Sequence, residues 1–246
     1  MATVAAAPAQ SSVTPSYAAS QPFFVKLAWL LSAIIVVGFA QHAALGRVNI
    51  PAVPIWVHFH GLLMLSWLAL FITQNRLAAS GNLALHRKLG WIGAFLICAI
   101  AGLAYFTGTM SLVLHRYPPF FTAPFFLALT TIDTTAFVGL VLAGIVNRGD
   151  TETHRRLIAG GTILILEPAF GRLLPMPLIG GETGEWIVMA IQLGFVAAIA
   201  RHDRRTLGRI HNATVSVAVV VVLAHLVVHF AAQSGPVIAL AQRLGG

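Results

Sequence analysis

The sequence predicts an all-α protein, a bundle of seven transmembrane helices with the N-terminus cytoplasmic and the C-terminus outside. Three observations predict it. First, 58% of the 246 residues are hydrophobic and only 9% are charged. Soluble domains carry roughly a quarter charged residues, so this chain lacks the polar surface to face water all round. Second, seven segments fit a spanning helix: 25–46, 54–75, 88–111, 119–146, 155–174, 184–201 and 212–233. Such a helix needs about 20 mostly apolar residues. Third, the basic residues alternate between the two sides. Lys26 and the links after spans 2, 4 and 6 carry eleven Lys and Arg, whereas the other side holds four, Arg47, Arg116, Arg172 and Arg243. The positive-inside bias makes the eleven-residue side cytoplasmic.

Residues 1–21 (MATVAAAPAQSSVTPSYAASQ) contain no basic residue and no long apolar run, so they lack the features of a secretory signal. Their Ala, Ser, Thr and Pro composition predicts a disordered tail ahead of a membrane domain over 22–246. The fifth span is the weakest, because it contains Glu167, Pro168 and Arg172. Small residues such as Gly102, Gly139, Gly160 and Gly161 are the expected points of close helix approach. The net charge of +8 is spread over short clusters between apolar blocks. That pattern anchors loops at a lipid bilayer and excludes a nucleic-acid-binding face. A membrane-protein partner or a second copy of the chain remain the other partner classes. The single cysteine, Cys98, excludes an intrachain disulfide.

A weak internal repeat aligns LHRKLGWIGAF (85–95) with THRRLIAGGTI (153–163), placing His86 on His154, and GRIHNAT (208–214) echoes both. Two explanations stay open: a duplicated helix pair related by an axis along the membrane normal, or basic residues recurring before spans for topological reasons.

The topology sorts the ten histidines into layers. His86, His154, His202 and His211 fall at cytoplasmic ends, His115 falls in the outer loop after span 3, and His42, His58, His60, His225 and His229 fall inside spans towards their outer ends. A rise of about 1.5 Å per residue puts the latter five at roughly 6–12 Å below the outer boundary. His225 and His229 are four apart and share one helix face. His58 and His60 are two apart, about 200° around a regular helix, so only one of them faces a given centre. His60, on the face of Met64 and Trp67, is the one expected to look into the bundle towards His225.

Two uses of these histidines follow. One is a metal site of His225, His229 and His58 or His60, with His42 as a fourth ligand, holding zinc, copper or iron. The other is a b-type haem bridging two helices in the outer half, with His86, His154 and His211 serving a second haem on the cytoplasmic side. The competing explanation is that interfacial imidazoles hydrogen-bond only to carbonyls and water.

Two of the seven acids, Asp133 and Glu167, lie well inside spans, where charge is costly and faces the bundle interior. Asp133 sits among Thr130, Thr131, Thr134 and Thr135. Glu167 precedes a helix-bending proline, and Arg172 is placed to pair with it. In the functional reading these acids are catalytic: Glu167 is a general base beside the outer site, or carries protons together with Asp133. In the structural reading Glu167 and Arg172 hold a broken helix together.

The run HFHG with Trp67, Gln74, LHRKLG, THRRL and GRIHNAT resembles a group of bacterial polytopic membrane proteins defined only as a domain of unknown function. That resemblance covers residues 40–215 and implies a multi-pass fold in a bacterial inner membrane. A partial likeness exists to the seven-span zinc hydrolases that include alkaline ceramidases and adiponectin-type receptors. It rests on His58 or His60 in span 2, the H-x-x-x-H of His225 and His229, and the intramembrane Asp133. Here Pro54 and Trp56 stand where that family has a serine before its histidine. Its zinc also lies towards the cytoplasm, whereas these histidines fall outside.

The expected function is therefore a metal- or haem-dependent redox or hydrolytic activity in the outer half of the bundle. The alternative is a carrier or structural subunit without a cofactor, which binds protons or substrate through Asp133 and Glu167.

Overall fold

The computed structural model describes residues 15–245, with side chains from Ser20 onward. Among these the structure is helical, with no strand. Six helices are long and apolar enough to cross a membrane. They are α1 (Pro15–Ala44), α2 (Ile55–Ala79), α3 (Leu83–Val113), α4 (Ala123–Val146), α8 (Gly181–Leu207) and α9 (Asn212–Ala232). The predicted fifth span is instead divided into α5 (Thr151–Leu164) and α6 (Glu167–Leu173), each too short to cross alone. A four-residue α7 (Met176–Ile179) precedes α8, and a helix absent from the sequence reading, α10 (Gly235–Gly245), packs on α3 and α4. α1 starts at Pro15, inside the segment assigned to the tail; residues 1–14 of that segment lie outside the described residues.

Local chemistry sets these boundaries. The Asn82 side chain accepts from the Leu85 N–H and caps α3, and Thr122 does the same for α4 through Phe125. The Asp150 carboxylate accepts from the backbone of Glu152 and Thr153 at the start of α5. The α5–α6 break follows from Pro168, which has no N–H to give to the carbonyl of Leu164 four residues earlier.

Charge and contact define two ends. At the basic end, the start of α1 stacks Phe23 on His202, near the end of α8, with ring centroids 4.1 Å apart. There too Arg156 of α5 meets Asp203 of α8. At the opposite end, the last turns of α1 lie against α6, where Gly38 leaves room for Ala169 and Arg172 sits 4.1 Å over the ring of Phe39. Midway, Gln192 of α8 reaches Leu164. Together α5 and α6 thus run antiparallel to α8 over most of its length.

The main core threads between α1, α2, α3, α4, α5, α6, α8 and α9. Of the four small residues expected at helix contacts, two serve. A Cβ on Gly160 would lie 2.4 Å from Val217 of α9, and one on Gly161 would lie 2.9 Å from Val141 of α4. Gly102 and Gly139 face open space.

Candidate functional site: a two-histidine cavity at the basic end

The α2–α3 and α4–α5 hairpins meet where α3 packs on α4, with the Tyr105 and Thr135 hydroxyls 2.9 Å apart midway along α4. Towards the basic end a cavity of about 800 Å³ lies between them. Its walls come from α2, α3, α4 and α5, with Gln21 of α1 at one side. Apolar side chains such as Leu70, Phe71, Val141 and Ile158 form much of the lining. Arg87, Arg148 and Arg155 stand beside Asp150 and Glu152 on its polar part. The volume falls within the roughly 300–1,000 Å³ of typical cofactor and ligand sites.

His86 and His154 both line this cavity, and each is held in the same way. His86 Nδ1 lies 3.3 Å from the carbonyl of Gln74, on the helix preceding its own. His154 Nδ1 lies 2.7 Å from the carbonyl of Gly144, again on the preceding helix. The repeat seen in the sequence is therefore also a repeat of hydrogen bonding. A carbonyl only accepts, so each Nδ1 carries the hydrogen and each neutral ring has its lone pair on Nε2. Metal-ligating histidines are oriented in the same fashion by their second nitrogen.

The two rings are neighbours on the cavity wall, edge to face, with centroids 6.2 Å apart and planes crossing at 85°. Imidazoles on opposite sides of one ion would have centroids about 6 Å apart, from bonds of about 2 Å and about 1.1 Å from nitrogen to ring centre. A further polar group on the wall is unsatisfied: buried Trp67 leaves its indole Nε1 with no partner among the described residues. Buried indole N–H groups usually find one. Arg155 is already engaged, pairing with Glu152 and lying 4.5 Å over Phe24. Arg87 and Arg148 are exposed at the rim, Arg148 6.0 Å over Trp91.

The other expected site residues are distributed differently. No group of three or more His, Cys, Asp or Glu side chains able to hold a metal ion occurs among the described residues. His225 is buried, with Nδ1 2.6 Å from Glu185 and Nε2 3.0 Å from Gln192 Oε1. His229 has Nδ1 3.0 Å from Glu182 and Nε2 3.0 Å from Gln233. Protein atoms thus face all four ring nitrogens. His58 is exposed and His60 half-buried, as helix geometry required, but His60 does not meet His225. α2 packs chiefly on α1 and α3, whereas α9 packs on α4, α5 and α8. Equal depth did not mean equal azimuth. His42 lies within electrostatic reach of Arg172 and Arg47, which opposes a bound cation. His211 is a helix cap, its Nδ1 accepting from the Ala213 N–H, and it does not line the cavity.

The interior acids also differ from expectation. Glu167 is buried and Asp133 leaves a buried Oδ1 without a partner. The Glu167–Arg172 pair is not closed. Arg172 donates to the Pro168 carbonyl at 2.6 Å instead, one turn back on α6. Two further buried acids, Glu185 and Asp203, were missed. Both sit near helix ends, where hydropathy reads them as interfacial. The signal available for Glu185 was the i, i+3 spacing of Glu182 and Glu185 against the i, i+4 spacing of His225 and His229.

In comparisons with known proteins, no family, curated protein or solved structure matches the chain.

Proposed function

We propose that this protein is a seven-crossing membrane haem protein for one-electron transfer, in which His86 and His154 would hold a b-type haem at the basic end. One observation carries the reading: two histidines, each with Nδ1 tied to a carbonyl of the preceding helix and Nε2 left free, line one cavity with ring centroids 6.2 Å apart. A haem held there by His86 and His154 would supply one-electron transfer. The chain's own residues orient the rings, line an apolar slot and offer Arg87 and Arg148 to acidic substituents at the rim. The matching sequence boxes and the matching hydrogen bonds of His86 and His154 support their use as an equivalent pair. α5 and α6 together act as the fifth crossing, and the basic end faces the cytoplasm.

The test is a titration of the purified protein in detergent with haemin. The expected result is a low-spin Soret band that saturates at one haem per chain, shifts on reduction with dithionite, and is lost in both His86→Ala and His154→Ala. Absence of such a band in the folded wild-type protein, or its survival in both variants, overturns the assignment.

A further inference from the structure

At the end opposite the cavity, α8 runs against α9 and brings together two Glu–His contacts one helical turn apart. Glu182 and His229 are the outer pair, with side chains 62% and 27% exposed, and Glu185 and His225 are the inner pair at 4% and 1%. The sequence therefore lays a graded line of ionisable groups from the molecular surface into the bundle.

Hydrogen bonding fixes how many protons the inner pair holds. Pro168 cannot bond the Leu164 carbonyl, and the Gln192 Nε2 amide donates to it at 3.1 Å. The Gln192 Oε1 is consequently the atom facing His225, and the His225 Nε2 at 3.0 Å must donate to it. His225 Nδ1 then lies 2.6 Å from a Glu185 carboxyl oxygen, off the line of a hydrogen bond but closer than two bare lone pairs would approach, so one member of this buried pair must carry a proton. The pair is a neutral acid with a neutral imidazole, or a carboxylate with an imidazolium, and is net neutral either way. Charge neutrality is what lets such a pair persist among apolar helices.

The outer pair differs. The Gln233 Nε2 amide donates to His229 Nε2 at 3.0 Å, so His229 gives its Nδ1 hydrogen to Glu182. The ionisable groups near Glu185 from the other packed elements are Asp133 of α4 and Glu167 of α6, all three acids lying within electrostatic reach of one another; Arg172 of α6 is the nearby cation of Glu167.

We propose that Glu185 and His225 form a proton-binding site inside the bundle, loaded from the surface opposite the basic end through Glu182 and His229. Within the pair the step is balanced. The Glu185 O–H bond breaks as the His225 Nδ1–H bond forms, and the reverse restores it, with no net charge moved into the bundle. Asp133 and Glu167 are the neighbouring acids with which the held proton exchanges. The site is independent of the two-histidine cavity.

The test uses full-length protein with nitrogen-labelled histidine in phosphatidylcholine vesicles, read by magnetic resonance. His225 Nδ1 should report a shared proton, recognised by its loss in Glu185→Gln. On transfer to heavy water that proton should exchange about tenfold more slowly in His229→Ala than in wild type, equivalent to about 1.4 kcal/mol on a barrier. His229 is partly exposed, so this variant keeps the measurement open even where Glu185→Gln fails to fold. A bare Nδ1 in the wild-type protein, or exchange unaffected by His229→Ala, overturns the proposal.

Discussion

Arg156 Nη2 lies 2.5 Å from Asp203 Oδ1, and neither side chain has exposed surface. The second oxygen of Asp203 accepts from the Thr214 hydroxyl at 2.6 Å and from the His211 N–H at 3.1 Å. Arg156 also donates to the Glu152 carbonyl at 2.9 Å. One carboxylate thereby fastens α5, α8 and the start of α9 at the basic end. Its environment is polar on every side, which offsets the desolvation a buried ion pair suffers.

Arg156 also pairs with the Glu152 carboxylate, so Asp203→Leu leaves its buried charge partly compensated. The substitution should therefore lower unfolding stability in detergent by about 1–3 kcal/mol, chiefly through the hydrogen-bonding groups left unpaired. The double variant Arg156→Met with Asp203→Leu should recover much of that loss, because no charge is then stranded. Denaturant unfolding followed by circular dichroism checks both. Equal losses in the single and double variants would mean that the pair acts through shape alone.

The α5–α9 contact depends on a missing side chain. A Cβ at Gly160 would lie 2.4 Å from Val217, inside any allowed separation. Gly160→Ala should destabilise by about 1–3 kcal/mol through overpacking, and Val217→Ala in the same chain should relieve most of it. Gly102→Ala should be neutral or slightly stabilising, since nothing lies within 4 Å of its Cβ position. Thermal melts of the four proteins decide this, and a Gly102→Ala loss as large as that of Gly160→Ala contradicts it.

Segment-level features were legible in the sequence because hydropathy and charge are local. Six apolar helices, the weak fifth segment and the concentration of Lys and Arg at one end all follow from counting residues. The pairing of His86 with His154 was legible only as an alignment of two short boxes. Nothing in the sequence said that a cavity lies between the hairpins with both rings on its wall. The outer three-histidine centre failed because depth comes from residue number, whereas neighbours come from packing order. His60 on α2 and His225 on α9 share a depth but lie on helices with different principal neighbours. Asp203 was hidden for another reason. It stands in RHDRR, a stretch that composition assigns to water, yet the packing of α5 and α9 buries it completely.

Asp150 links helix capping to pH. Its carboxyl is held below the ordinary carboxylate range, chiefly by the Thr153 hydroxyl, which donates to it at 2.6 Å. A depressed folded-state pKa gives stabilisation that is full above the ordinary value of 3.8 and is lost as pH falls through the folded value. Asp150→Ala should cost about 1 kcal/mol at neutral pH by removing the cap. Asp150→Asn should retain most of the neutral-pH stability, since Asn also caps, while flattening the acid limb of the stability profile. An unchanged acid limb in Asp150→Asn would assign that pH dependence to other carboxyls.

Gln192 and Pro168 should be energetically coupled although they lie on different helices. Pro168 frees the Leu164 carbonyl, and Gln192 satisfies it while orienting His225. Gln192→Ala strands a buried acceptor and removes the acceptor of His225 Nε2, a loss of about 1–3 kcal/mol for each group left unpaired. Pro168→Ala restores an N–H at the position where a continuous helix would bond Leu164. In the Pro168→Ala background, Gln192→Ala should therefore cost less than it does in wild type, by about the worth of one hydrogen bond, ~1 kcal/mol. A double-mutant cycle on unfolding free energy measures the difference. Strict additivity would show that the carbonyl is satisfied by another group and that the polar chain from the helix break to His225 is not one unit. A positive coupling would establish that the proline, through the carbonyl it frees, sets the tautomer of a histidine 57 positions later in the sequence.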